Sequence, residues 1–265
     1  MSIEIKNLVK QKYSEIAIQA DSCCGATACC DSGEVFNIMA ESYTKLDGYL
    51  PDADMNLGCG IPIEYAGLKE GQSVLDLGCG AGNDLFVARA IVGESGMLTG
   101  LDFSDEMLQK AEKNRSKLGI KNMDLVKGDI ETMPFQSDTF DVILSNCVLN
   151  LVPNKQQAFS EMYRVLKPGG HFTISDIVLE GDISDFVKKS AELYAGCVSG
   201  AIEKKDYLDI VVNAGFTSVS IPKEREIFIP DAWLKEKFGS EATLGNARVL
   251  SITLTGKKLF KEVTS

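Results

Sequence analysis

The chain has 265 residues, of which 45% are hydrophobic and 25% charged, and a net charge of −11. That is ordinary globular composition, with enough length for one sizeable core and an appended lobe. The acidic balance, with no long Lys/Arg run to offset it, excludes nucleic acid and anionic membrane surfaces as partners, because both need a basic face.

Residues 3–20 place Ile5, Val9, Tyr13, Ile16 and Ala20 at near-helical spacing, which predicts an amphipathic helix. The opening MSIEIKNLVKQKY mixes acids and bases and lacks the apolar centre of a signal peptide. No apolar stretch approaches ~18 residues, so no spanning helix is expected and the predicted location is cytoplasmic. Residues 21–34 form a loop with four of the eight cysteines, Cys23, Cys24, Cys29 and Cys30. In a reducing compartment these are not a disulfide framework. A second helix is predicted over 35–48, followed by the glycine-rich MNLGCGIP at 55–62.

From residue 73 strands and helices alternate with short connections. Strands are predicted at SVLDLG, MLTGLD (97–102), MDLVKGD (123–129), FDVILSN (140–146) and HFTISD (171–176). Helices are predicted over 83–93, over 104–118 with Ser104 as N-cap and Gly119 as the stop, and near 155–166, ended by Lys167-Pro168-Gly169-Gly170. After 180 a helix-rich insertion leads to TSVSIP (217–222) and VLSITLTGKK (249–258), which can close the sheet as a terminal hairpin. The fold class is therefore α/β, a doubly wound, mostly parallel sheet of Rossmann-like type. It divides into an N-terminal helical and Cys-rich segment (1–60), a core (61–180) and a C-terminal lobe with closing strands (181–265).

Ligands of such sheets bind at the carboxyl ends of the strands. The first strand ends in Gly78-Cys79-Gly80-Ala81-Gly82. The third glycine comes one place too early for the dinucleotide fingerprint G-x-G-x-x-G. Asp76 stands at the strand end, where a carboxylate meets an ammonium group, directly or through water. Asp102, with Phe103 beside it, ends the second strand at the position of a ribose-binding acid, and two acceptor oxygens suit a vicinal diol. Asp129 ends the third strand, where it can accept from an adenine amino group while the Ile130 N–H bonds a ring nitrogen. A ligand with an ammonium group, a ribose and an adenine but no phosphate fits this set, and S-adenosylmethionine is such a ligand. Tyr13 is read as a possible contact to its methionine moiety or as helix-face packing, and Asn146 as lining the methyl pocket.

VLDLGCGAG, GLDFS, KGDIETMPF, FDVILSN and VLKPGG, in this order over about 60–180, resemble the class I methyltransferases. The resemblance implies a seven-stranded sheet whose last strand is antiparallel, with Asp76, Gly78, Gly80, Gly82, Asp102, Phe103, Asp129, Ile130, Asn146 and Tyr13 around S-adenosylmethionine.

The core does not choose the methyl acceptor. Cys59 lies in the approach segment, Cys147 at the rim after the fourth strand, and Cys197 in the insertion. Brought together, three thiolates without histidine form a soft site suited to three-coordinate arsenic(III), whereas zinc normally takes four ligands. The bland reading of each cysteine is a buried small hydrophobe, and that is the reading for Cys79. The single histidine, His171, argues against a His-based metal site or a catalytic triad and is read as structural.

MNLGCGIP, SNCVLNLVP (145–153), SDIVL (175–179), ELYAGCVSGAI (192–202) and AGF (214–216) resemble the arsenite methyltransferases over about 1–220. The resemblance implies that Cys59, Cys147 and Cys197 bind trivalent arsenic as substrate, taken as arsenite or its glutathione conjugate. It implies methyl- and dimethylarsenical products, a role in arsenic detoxification, and a thiol reductant such as thioredoxin or glutathione. Arsenic would attack the methyl carbon with its lone pair, and orientation alone can lower such a barrier by about 7–11 kcal/mol. Family members often carry an N-terminal cysteine that pairs with the one at Cys59, and any of the four in the 21–34 loop can take that part. The loop can equally hold zinc or a cluster, or be a plain thiol-rich loop. Two other activities fit the same core: a small-molecule C- or O-methyltransferase of the quinone-biosynthesis type, and a thiol-based metal-binding or redox module.

Overall fold

The structure is a computed structural model that describes residues 2–22, 39–181 and 200–260. Seven strands form one sheet: β1 (Ser73–Leu77), β2 (Met97–Asp102), β3 (Met123–Lys127), β4 (Phe140–Asn146), β5 (Leu166–Glu180), β6 (Thr217–Ile227) and β7 (Arg248–Lys257). Their order is β3-β2-β1-β4-β5-β7-β6. The first five run parallel, and β7 lies antiparallel to both β5 and β6. This is the seven-stranded, mostly parallel sheet that the sequence predicts.

Six described helices accompany the sheet: α1 (Ser2–Ser22), α2 (Asn83–Val92), α3 (Asp105–Lys117), α4 (Lys155–Val165), α5 (Lys204–Asn213) and α6 (Asp231–Phe238). Alternation along the central strands explains why both sheet faces are covered. Leu75, Leu77 and Ile143 pack with Phe159, Met162 and Tyr207 on the α4–α5 side. Val74, Val142 and Leu144 pack with Leu85, Phe86 and Ala88 on the α2 side. A third cluster crosses the carboxyl ends of the strands and includes Val9, Met39, Cys59, Cys147, Leu151 and Ile177. Ser104 caps α3 by accepting from the Met107 N–H.

Three predicted elements change. The described part of 35–48 is turns beyond Met39, with Leu46 and Tyr49 N–H groups bonded back to Tyr43 and Leu46. Gly48 at φ +84° and Pro51 are incompatible with a continuing helix there. The Lys167-Pro168-Gly169-Gly170 run ends the helix as predicted, but it lies within β5, because the strand predicted from His171 already begins at Leu166, opposite Phe140. His171 is thus inside β5, with Nε2 2.6 Å from the Ala66 carbonyl, a structural contact. Finally, β6 and β7 pair antiparallel as expected, but α6 separates them and β7 takes the inner position. No described helix is long and apolar enough to cross a membrane.

Candidate active site at the strand ends

Strand order reverses between β1 and β4, and a crevice opens there over their carboxyl ends. An open cleft occupies it. Tyr13, Asp76, Gly78, Gly80, Asp102, Phe103, Asn146 and Cys147 all line this cleft. Gly78, Gly80 and Gly82 adopt φ of 67°, 52° and 95°, a left-handed turn that only glycine makes cheaply. A Cβ at Gly78 would stand 2.5 Å from Val148. The Gly80 N–H donates to Asp102 Oδ2 at 2.9 Å, and the Ser104 N–H donates to Oδ1 at 2.8 Å. Asp102 thus locks the loop while its carboxylate keeps acceptor capacity for a diol.

Three buried carboxylates meet on this side: Asp76, Asp84 and Asp102. Burial, reinforced by the charges of Asp84 and Asp102, pushes Asp76 well above the usual carboxylate range. Burial lifts Asp84 to about 6 although Tyr43 and Asn146 stabilise its charge. Burial likewise raises Asp102 against its backbone hydrogen bonds. Such a group favours a cationic ligand, which restores the charged forms. Asn83 Oδ1 is buried in the same cleft and is left without a hydrogen-bond partner among the described residues. An acceptor of this kind suits an ammonium donor. The residues present therefore fit S-adenosylmethionine, which carries an ammonium and a sulfonium group.

Asp129 and Ile130 line an adjoining hollow together with Lys6, Val9 and Phe103. Phe103, Val148 and Leu151 face both spaces. Asp129 Oδ2 already accepts from Lys6 Nζ at 2.6 Å, and Oδ1 accepts from the Glu131 N–H at 2.9 Å. Lys6 also reaches Glu131, so α1 is clamped over this hollow. Sequence reading supplied Asp129 but not its competitor.

The acceptor side is assembled from more distant segments. Asn146 ties them together. Its Oδ1 accepts from the Cys59 N–H at 3.0 Å, and its Nδ2 donates to the Gly60 carbonyl at 2.9 Å and to Tyr43 at 2.8 Å. Tyr43 in turn donates to Asp84 at 2.9 Å, linking the two halves of the site. Cys59 is flanked by glycines because its backbone presses on the sheet. A Cβ at Gly58 would lie 2.6 Å from Asn146, and one at Gly60 would lie 2.6 Å from Ser175 Oγ. Ser251 on β7 donates to the Cys59 carbonyl.

Cys147 adopts φ 59°, uncommon for a residue with a side chain, and its N–H donates to the Ser175 carbonyl at 2.8 Å. Cys59 and Cys147 carry buried thiols. Their sulfurs and one oxygen of buried Asp176 all lie within 4.8 Å of one another. Asp176 Oδ2 accepts from the Tyr207 hydroxyl at 3.0 Å, and Oδ1 accepts from the Ile177 N–H at 3.0 Å. Burial pushes Asp176 up to about 7, opposed chiefly by Lys155. Cys79, by contrast, is held under the loop, with its thiol pushed well up by burial and then by Asp102 and Asp76. Cys197 and the four cysteines of the 21–34 loop lie outside the described residues. Sequence reading did not single out Asp84, Asp176 or Tyr207. The only hint was position: Asp84 directly follows the glycine loop in the first turn of α2.

This sheet, with a glycine loop and acids at successive strand ends, defines a class I S-adenosylmethionine-dependent methyltransferase. Residues 68–215 match the methyltransferase domain family. An arsenite methyltransferase from Halobacterium salinarum is 36% identical over 241 residues, covering 86% of this chain and 62% of that protein. An arsenite methyltransferase from Aquipseudomonas alcaligenes is 33% identical over 259 residues, covering 95% of this chain and 71% of that protein. The crystal structure of an arsenic(III) S-adenosylmethionine methyltransferase from Chlamydomonas reinhardtii superposes with a TM-score of 0.66 at 34% identity, covering 89% of this chain and 76% of that one. The chain belongs to the arsenite methyltransferase family. It spans less than two thirds of the length of the Halobacterium relative.

Proposed function

We propose that this protein methylates trivalent arsenic with S-adenosylmethionine and so serves arsenic detoxification in a reducing, cytoplasmic setting. The observation that carries the reading is that the Cys59 sulfur lies within 4.8 Å of the sulfur of Cys147, which lines the cofactor cleft. Two thiols that close form a soft pair for a thiophilic ion. The bound cofactor supplies an electrophilic methyl group on a sulfonium sulfur. The chain's residues supply the rest. Asp76, Asp84 and Asn83 receive the ammonium end, Asp102 the ribose, and the glycine loop the close approach of the ligand. Asp129 and Ile130 receive the adenine once Lys6 yields.

Arsenite enters as the hydroxide or as its glutathione conjugate and exchanges ligands for Cys59 and Cys147. Cys197 joins as the third thiolate. Thiolate ligation leaves the arsenic lone pair available, so no general base is needed at the acceptor. A thiol reductant such as thioredoxin or glutathione returns the oxidised product to the trivalent state between rounds.

The test is a labelled-methyl assay with arsenite on the whole chain and on the Cys59→Ser, Cys147→Ser and Cys197→Ser variants. Loss of transfer with cofactor binding intact supports the thiolate site. Arsenite turnover at the wild-type rate in both Cys59→Ser and Cys147→Ser sinks it.

A further inference from the structure

Asp176 is not explained by cofactor binding. It sits in β5 at 1% exposure, between two thiols and a tyrosine. A buried carboxylate is costly unless its acceptor sites are satisfied. Its described partners are the Ile177 N–H, the Tyr207 hydroxyl and a backbone hydrogen bond from Asn150. A carboxylate has about four acceptor sites, so capacity remains. Tyr207 holds the group rigidly: it is fully buried and stacks edge-on against Phe159, with centroids 5.6 Å apart. The aim of the carboxylate is therefore fixed, and one of its oxygens faces Cys59 and Cys147.

We infer that Asp176, braced by Tyr207, accepts a hydrogen bond from the remaining hydroxyl of arsenite held by Cys59 and Cys147, and so favours inorganic over methylated trivalent arsenic. The inference rests on the proposed arsenic site. Arsenite, As(OH)3, reacts with two thiols to form two As–S bonds. Two As–O bonds break, and two waters leave with the thiol protons. One hydroxyl stays on arsenic, beside Asp176, until a third thiol displaces it as water. Methylarsenite, CH3As(OH)2, undergoes the same double exchange and keeps no hydroxyl. Its third substituent is a methyl group, which has nothing to donate. The carboxylate therefore assists loading of the first substrate and is indifferent, or mildly adverse, to the second.

The experiment compares kcat/KM for arsenite and methylarsenite in the wild type, Asp176→Asn and Tyr207→Phe, with S-adenosylmethionine titration as the check of folding. Asp176→Asn keeps the shape and removes the charge. Loss of a charge-assisted hydrogen bond lowers kcat/KM for arsenite about tenfold or more, with methylarsenite held within about twofold. Tyr207→Phe shifts the ratio in the same direction by a smaller factor, and it carries the test alone should Asp176→Asn fail to bind cofactor. Equal losses on both substrates, or no loss on either, overturn the inference. A failure of the arsenic site itself reads differently, as arsenite turnover that survives in both Cys59→Ser and Cys147→Ser.

Discussion

The two halves of the cleft are built on different plans. The cofactor half comes from three consecutive strand ends and the loops that leave them, so its acids are close in sequence and fixed by local backbone bonds such as Gly80 to Asp102. The acceptor half gathers Cys59, Cys147, Asp176 and Tyr207 from the approach segment, the residue after β4, β5 and α5. One half is electrostatic, with three buried carboxylates; the other is soft, with two buried thiols. The lesson is that the same sheet crevice can serve many acceptors, because only the second half needs to change.

If the halves are separable, substitutions should divide cleanly between them. The largest effect is expected from Cys147→Ser, which should drop arsenite methylation to the assay background while cofactor affinity, read by calorimetry, stays within about twofold. A parallel loss of cofactor binding would break the comparison. Next is Asp102→Ala, which removes both the ribose acceptor and the loop lock. Cofactor affinity should fall about 10- to 100-fold, with arsenite binding by Cys59 and Cys147 unchanged.

A third effect concerns pH. Asp84 rises to about 6 and Asp176 to about 7 on burial, one in each half. The folded state therefore holds more protons than the unfolded chain between the ordinary carboxylate range and about pH 7. The contribution of these two groups to stability is greatest below that window and falls as pH rises through it. The cofactor-free protein should show a lower thermal midpoint at about pH 8 than at about pH 5. Asp84→Asn and Asp176→Asn should each flatten the slope. Added S-adenosylmethionine should offset the part due to Asp84 and leave the part due to Asp176, which sharpens the division. A midpoint that rises steadily with pH would contradict it.

The smallest effect is expected at Lys6. Its pair with Asp129 is a third to two fifths exposed, and such pairs contribute little to stability. Lys6→Ala should leave the thermal midpoint nearly unchanged and strengthen cofactor binding by about threefold or less, because Asp129 is released for adenine.

The cofactor half was largely legible in the sequence. Short apolar strands, a glycine loop and an acid at each strand end are local signals, and parallel topology converts them into one site. Asp84 escaped notice because a carboxylate in the first turn of a helix has an ordinary explanation. The acceptor half was legible only as residue types. Cysteine at 59 and 147 suggested a soft site, but their meeting depends on the path of residues 54–61 over the sheet. Asp176 lay in plain view within ISDIV, where a polar residue in a strand carries no sign of what it faces. The segment predicted as a helix over 35–48 is irregular where it is described, from residue 40 to 48. Its actual work is to bring the Tyr43 hydroxyl to Asp84 and Asn146.

Cys147 has a backbone angle of 59°, at which a side chain costs about 1–2 kcal/mol that glycine escapes. Selection for thermal resistance alone would therefore favour emptying this position. A library of the chain sorted only by heat should enrich glycine over alanine at 147, the reverse of the usual preference, and lose the thiol in doing so. The positive φ at 147 thus sets the proposed thiolate role against the backbone's own preference.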